Sequence, residues 1–280
     1  MIINQIKTVL FLGILTAILL FIGSFFGKGG LTIAFIFVVL MNFFTYFFSD
    51  KLVLKMYRAK QVSKTESPKL YSIVEDVIKK ANIPMPKVYI IPSNSPNMFA
   101  TGRNPKHAAV AATQGILELL NKDELEGVIA HEISHIKNRD ILISTIAATI
   151  AGVISYAASM AQWGAMFGGN REEGRGNILG LLVIAILTPI LATIIRLAIS
   201  RSREYLADES GAKLLKNSKG LSSALAKLHN NVKHNPLQFG SEATSHLFIV
   251  NPFKAKSFLN LFSTHPNIID RIKKLEELKL

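Results

Sequence analysis

The chain has 280 residues, is 49% hydrophobic and has a mean hydropathy of +0.32, which is high for a soluble globule, and its apolar residues are clustered. It contains no cysteine, which excludes a disulfide framework and any thiolate nucleophile or metal ligand. The net charge of +13 comes from scattered lysines and arginines with no aromatic-basic motif, so the expected partner is an anionic lipid leaflet flanking membrane segments and not a nucleic acid.

A helix needs about 20 mostly apolar residues to cross the hydrocarbon core of a bilayer. Residues 8–27 and 31–48 both meet that length, with Lys28-Gly29-Gly30 as a short turn between them. The first run is longer than the apolar region of a signal peptide, has no small-residue cleavage site after it, and is followed at once by a second run. Residues 1–50 therefore read as a retained transmembrane hairpin.

Residues 51–140 read as the first part of a soluble domain. Ser67-Pro68 opens a helix over 67–81, with apolar residues at helical spacing. Lys87–Ile91 is short, apolar and bounded by prolines, which predicts a strand; 97–102 and 107–113 predict two more. The expected fold is a mainly helical membrane protein carrying an α+β domain of zincin type, with a small antiparallel sheet. Asn121 can cap a new helix, with Glu124 three residues on in a capping-box arrangement.

That helix carries His131-Glu132-Ile133-Ser134-His135. Four residues advance a helix by about 400°, so the two imidazoles lie on one face, one turn apart, and can reach one metal ion. Glu132 beside them is placed to take a proton from water at that ion. Asp140 is five residues beyond His135 and, on a continued helix, is rotated away from it.

Residues 141–163 and 178–200 read as a third and fourth span, the latter with Pro189 as a kink, so that 141–200 forms a second hairpin. Basic residues crowd one side: Lys51, Lys55, Arg58 and Lys60, then Lys137 and Arg139, then Arg201 and Arg203. Residues 51–140 and 201–280, with both termini, are therefore expected in the cytoplasm, as two parts of one domain split by a membrane hairpin. A catalytic zinc site holds three protein ligands. Glu204 lies just after the chain returns from the membrane, at the depth of the histidines, roughly 6–9 Å from the membrane edge. One Zn2+ per chain is expected on His131, His135 and Glu204. Asp208, one turn further, is placed to accept the far N–H of a ligating histidine. An oxyanion donor is expected from His265, held before Pro266 at a helix start, or from His246. The strand containing Asn97, Phe99 and Ala100 could hold an extended peptide along an open edge.

These segments, together with SPNMFATG, VIAHEISHIKNRD, SRSREYLADESGA, TSHLFIVNPF and FSTHPNIIDRI, resemble the HtpX-type membrane zinc metalloproteases, relatives of the type I CAAX prenyl proteases, along essentially the whole chain. The resemblance implies zinc on His131, His135 and Glu204 with Glu132 as catalytic carboxylate. It also implies endopeptidase activity on misfolded or damaged membrane proteins, in quality control and stress response, at a bacterial-type inner membrane. Two other readings are a processing protease for one defined peptide, and a membrane receptor or scaffold with a structural zinc. The sequence leaves the oligomeric state open.

Overall fold

The computed structural model describes residues 27–147, 149, 150, 201–252 apart from 233, 234, 238 and 241, and 266–280, with scattered positions between 9 and 24. The expected spans at 8–27 and 178–200 with Pro189, the part of the third span from 151 onward, and His265 lie wholly or mostly outside these residues.

Helix α1 (Gly27–Met56) is one continuous 30-residue helix, long and apolar enough to cross a membrane. Only 11% of its apolar window is buried against the rest of the chain, and Phe35, Phe37, Phe43 and Phe44 face outward. The expected turn at Lys28-Gly29-Gly30 is instead the first turn of this helix. Gly27 opens the helix at φ +71, a left-handed conformation that costs glycine no Cβ clash. At its other end α1 runs past Phe48 into the domain. Val53 and Leu54, with Tyr57 just beyond, are buried in a cluster with Ile91, Phe99, Ala111 and Phe248.

Helix α2 (Pro68–Ala81) starts with proline in its first turn and ends at Asn82, whose φ of 55 stops it. It buries Leu70, Ile73, Val74, Val77 and Ile78, a stripe at helical spacing. Strands β1 (Lys60–Gln61), β2 (Lys87–Ile91), β3 (Met98–Gly102) and β4 (Ala108–Thr113) form a sheet in the order β1-β2-β4-β3. The sheet is mixed, not antiparallel: β2 and β4 run parallel with Val88 opposite Val110, while β3 and β4 are antiparallel with Phe99 opposite Ala111. The physical reason lies in β4. Its sequence, AAVAAT, is small and apolar on both faces, which suits the centre of a sheet covered on both sides. β4 therefore enters between β2 and β3, and β3 becomes an edge. One face (Val88, Met98, Ala100, Val110) packs on the helical core; the other (Ile91, Phe99, Ala111) packs on the end of α1.

The remaining helices are α3 (Gln114–Leu119), α4 (Lys122–Asn138), α5 (Arg201–Leu215), α6 (Lys219–Val232) and α7 (Ile268–Glu276). The capping box of α4 is present, with Asn121 Oδ1 accepting from Glu124 N–H and Glu124 Oε2 accepting from Asn121 N–H, both at 2.9 Å. Helix α4 is the hub, packed among α2, α5 and α6. It is crossed at backbone distance: a Cβ on Gly127 would stand 2.6 Å from Leu221 N, and one on Gly211 would stand 3.0 Å from His131 N.

The chain is helical again over 141–147 and at 149 and 150. Ile141, Ile143, Ile146 and Ala147 are buried, and Ile141 joins the helical core of the domain. Thr145 Oγ1 lies 2.9 Å from Thr101 Oγ1, and Thr149 Oγ1 donates to Ser49 O at 3.4 Å.

Candidate metal centre

Three donors converge where α5 crosses α4. His131 Nε2 and His135 Nε2 are 3.1 Å apart, one turn of helix bringing both rings to the same face. Glu204 faces them from the first turn of α5, with Oε2 at 3.7 Å from His131 Nε2 and Oε1 at 3.6 Å from His135 Nε2. All three ligand atoms lie within 4.8 Å of one another. Gly211, two turns along α5, permits the backbone contact with His131 that sets this depth.

Each imidazole is backed by a carboxylate. Asp208 Oδ1 stands 2.9 Å from His131 Nδ1, although the N–H points off the direct line. Asp208 is itself gripped by Arg271 of α7, whose Nε and Nη2 donate at 2.8 and 2.7 Å while Nη1 donates to Ile249 O at 3.0 Å. Arg271 is fully buried. Despite burial, its charge and hydrogen bonds hold the Asp208 carboxyl well below the usual carboxylate range. On the other ring, His135 Nδ1 lies 3.0 Å from Asp140 Oδ2. This corrects the helical projection. Helix α4 stops at Asn138, Arg139 takes φ 60, and Asp140 folds back onto His135 instead of continuing round the helix.

A carboxylate beside each Nδ1 keeps the ring proton there, so both Nε2 lone pairs point into the same space as the Glu204 carboxylate. Three electron-rich donors at this separation repel one another unless a cation lies among them. Two imidazoles and a carboxylate suit a divalent ion of intermediate softness. Burial lowers both histidines, but at His135 the Asp140 hydrogen bond and the Glu204 charge outweigh it and raise the pKa to about 9; at His131 burial prevails and the value falls.

Glu132 lies on the same turn and is 3% exposed. Burial pushes its carboxyl up to about 8, with Glu204 adding to the rise, against the pull of His135 and a hydrogen bond from the Ala100 backbone. A cleft runs over these groups, with Ala100 of β3 on one wall, Ile141 and Ser144 on another, and the 246–249 segment on a third. His246 is in that wall, its Nε2 3.2 Å from Ser144 O. Of the strand residues expected to hold a peptide, Ala100 lines the cleft. Asn97 and Phe99 are fully buried: Asn97 Nδ2 donates to Val250 O at 2.7 Å, and Phe99 packs at a tilt on Tyr57 and edge-to-face on Phe248. Ile249 N–H donates to Met98 O at 3.2 Å, so the first part of the β3 edge is covered.

Sequence reasoning missed Asp140 and Arg271. Asp140 was hidden by the helix end at Arg139. Arg271 had one signal, a lone arginine on the apolar side of an amphipathic helix, between Ile268 and Ile272 and Leu275.

A model of "Peptidase family M48" matches residues 64–279. Proteins named "Protease HtpX homolog" are similar over nearly the full length. The one from Syntrophobacter fumaroxidans is 51% identical, covering 98% of this chain and 99% of its own. The one from Pyrococcus furiosus is 52% identical, covering 98% and 96%. Among solved structures, the crystal structure of S. mikatae Ste24p aligns with a TM-score of 0.52 at 18% identity, covering 98% of this chain and 66% of that one. At that identity the likeness is one of fold.

Proposed function

The chain belongs to peptidase family M48 and is a metalloprotease, and from that premise we propose that it is a membrane-anchored, zinc-dependent endopeptidase that cuts misfolded or damaged membrane proteins on the cytoplasmic side of a bacterial-type inner membrane. The observation that carries the proposal is the convergence of His131, His135 and Glu204 beside a buried Glu132 in an open cleft. A scaffold with a structural metal has no use for a carboxylate of raised pKa between its ligands.

In this reading His131, His135 and Glu204 hold the ion. When bound, a divalent ion supplies Lewis acidity, polarising a carbonyl and easing the deprotonation of water. The chain's own groups do the rest. Glu132 accepts the proton of the attacking water and passes it to the leaving amine. Its pKa of about 8 in the ion-free site is near enough to neutrality for both steps, and a cation beside it pulls that value down. Asp208 and Asp140 keep the imidazole protons on Nδ1, so that Nε2 stays a ligand. Ala100, on the β3 edge with its N–H on Glu132, leaves its main-chain carbonyl as the group to receive an extended substrate. His246 is the cleft histidine nearest this task among the described residues; His265 keeps its proposed role as oxyanion donor. Four spans in two hairpins, around domain parts 51–140 and 201–280, complete the reading, supported by α1 and by the basic residues on one side.

The test is Glu132→Gln. The purified variant is expected to hold a full equivalent of zinc and to lose casein cleavage by about 10²–10⁴-fold, the contribution of one proton-transferring group. Retention of normal cleavage by a metal-loaded variant would defeat the assignment.

A further inference from the structure

The β3–β4 turn touches the one helix, among the described residues, that is long and apolar enough to enter a membrane. Arg103 in that turn places its guanidinium 5.1 Å from the ring centre of Phe47 of α1. Phe47 and Phe48 are the last exposed aromatic residues of α1, and Lys51, one turn on, lies over the Phe48 ring at 5.2 Å. Lys106 and His107 of the same turn are exposed. Register adds a further cation: Lys87 opens β2 opposite Ala109 at the same end of the sheet, is exposed, and has the face parity of Tyr89 and Ile91, which look toward α1. Asp50 is the acid on this side, half-buried beside Tyr89. The end of the sheet is therefore a cationic rim laid against the last aromatic turns of an outward-facing apolar helix.

We propose that this rim, formed by Arg103 and Lys106 of the β3–β4 turn with Lys87 and Lys51, is a docking platform for anionic phospholipid headgroups, which seats the catalytic cleft over the bilayer surface. Aromatic rings followed by lysine and arginine match the layering of a membrane interface, and an anionic leaflet complements the charge. The level of the interface also follows. Thr149 meets Ser49, the residue after Phe48, so the helix from Ile141 reaches the end of the apolar run only there. Ser144 in the cleft wall is then about 8 Å above that level, and Asp140 about 14 Å. A peptide crossing the cleft lies just above the headgroups, which favours segments emerging from the membrane over chains free in solution. The inference rests on the membrane-anchored reading above and adds to it a specific lipid contact.

Because the chain has no cysteine, a single one at exposed His107 can be labelled with a fluorophore without background. The full-length protein is reconstituted into phosphatidylcholine vesicles with a trace of lipid carrying a nitroxide on its headgroup, with or without phosphatidylglycerol at about one part in three. Quenching is expected to be at least about twofold stronger in the anionic vesicles. It should fall to the zwitterionic value in about 1 M salt, where screening length shrinks to about 3 Å. Arg103→Glu/Lys106→Glu should give the zwitterionic value at low salt while retaining the wild-type metal content, which shows that it is folded. Equal quenching in both vesicle types, or quenching indifferent to salt and to charge reversal, overturns the platform. Protein that washes off the vesicles at alkaline pH overturns the anchored reading itself, and the platform with it.

Discussion

The two histidines of α4 differ in how they are held, and the difference can be measured. His131 leans on Asp208, which Arg271 locks with two hydrogen bonds from a fully buried guanidinium. His135 leans on Asp140, a residue outside the helix that owes its position to one left-handed turn at Arg139. Asp140→Ala is expected to weaken zinc binding by about 10–100-fold, read by competition with a chelator, because the ring loses its tautomer and its orientation. Arg271→Met leaves Asp208 buried without its partner and should cost about 3–5 kcal/mol of stability, whereas Arg271→Met/Asp208→Asn should cost much less. Thermal unfolding of the three proteins checks this; equal losses for single and double variants would remove the pair from the account. Protons and metal compete at His135. Its pKa is raised to about 9 in the ion-free site, so its proton stabilises the metal-free fold fully below the unfolded value of about 6.5, and the contribution fades as pH rises through about 9. Metal needs the bare Nε2, so the apparent zinc affinity should rise about tenfold per pH unit up to about 9 and then level off.

At the scale of elements, the crossings of α4 separate site from scaffold. A Cβ on Gly127 meets the Leu221 backbone at 2.6 Å, on the side of α6, and something must shift. A Cβ on Gly211 meets His131 N at 3.0 Å, on the side of α5 and its ligands. Gly127→Ala should therefore lower stability by about 1–3 kcal/mol with zinc affinity kept, while Gly211→Ala should weaken zinc binding. Unfolding and metal titration of the same two proteins distinguish the cases. The elements that sequence alone anticipated were those with local signals: the Ser67-Pro68 start of α2, the proline-bounded β2, and the Asn121–Glu124 capping box. What it missed depended on tertiary partners. The alanine-rich β4 reads as a strand, but nothing local says that it enters beside β2 and makes the sheet mixed. The glycines at 29 and 30 read as a turn, but they lie in the first turn of α1. Ile141 falls in the run read as a third span, because apolar residues look alike whether a bilayer or a protein covers them, and here it is buried in the helical core of the domain. The site divides the same way. The spacing of His131 and His135 is a helix property, and Glu204 is reachable by depth, but Asp140 and Arg271 depend on a helix end and on the packing of α7.

On the scale of the whole molecule, the ion would join two stretches of chain, 51–140 and 201–280, that the sequence separates by the hairpin read at 141–200. His131 and His135 come from α4 in the first stretch, and Glu204 comes from α5 in the second. Helices α4 and α5 meet at backbone distance where Gly211 lies against His131, and Asp208 ties α5 to Arg271 of α7, so the metal is not the sole tie between the two stretches. The metal should instead add its binding free energy to the folded state, because an unfolded chain offers no preformed site. With free zinc at about a thousand times its dissociation constant, this is about 4 kcal/mol, or on the order of 10 °C in midpoint for a chain of this size. Thermal unfolding of the detergent-purified protein, before and after chelation, should show that difference. The same comparison on Glu204→Ala should show little of it, since the variant keeps both histidines but loses the ligand from the far stretch. A full shift retained by Glu204→Ala would place the stabilising ion on α4 alone and break the proposed link between the two halves of the domain.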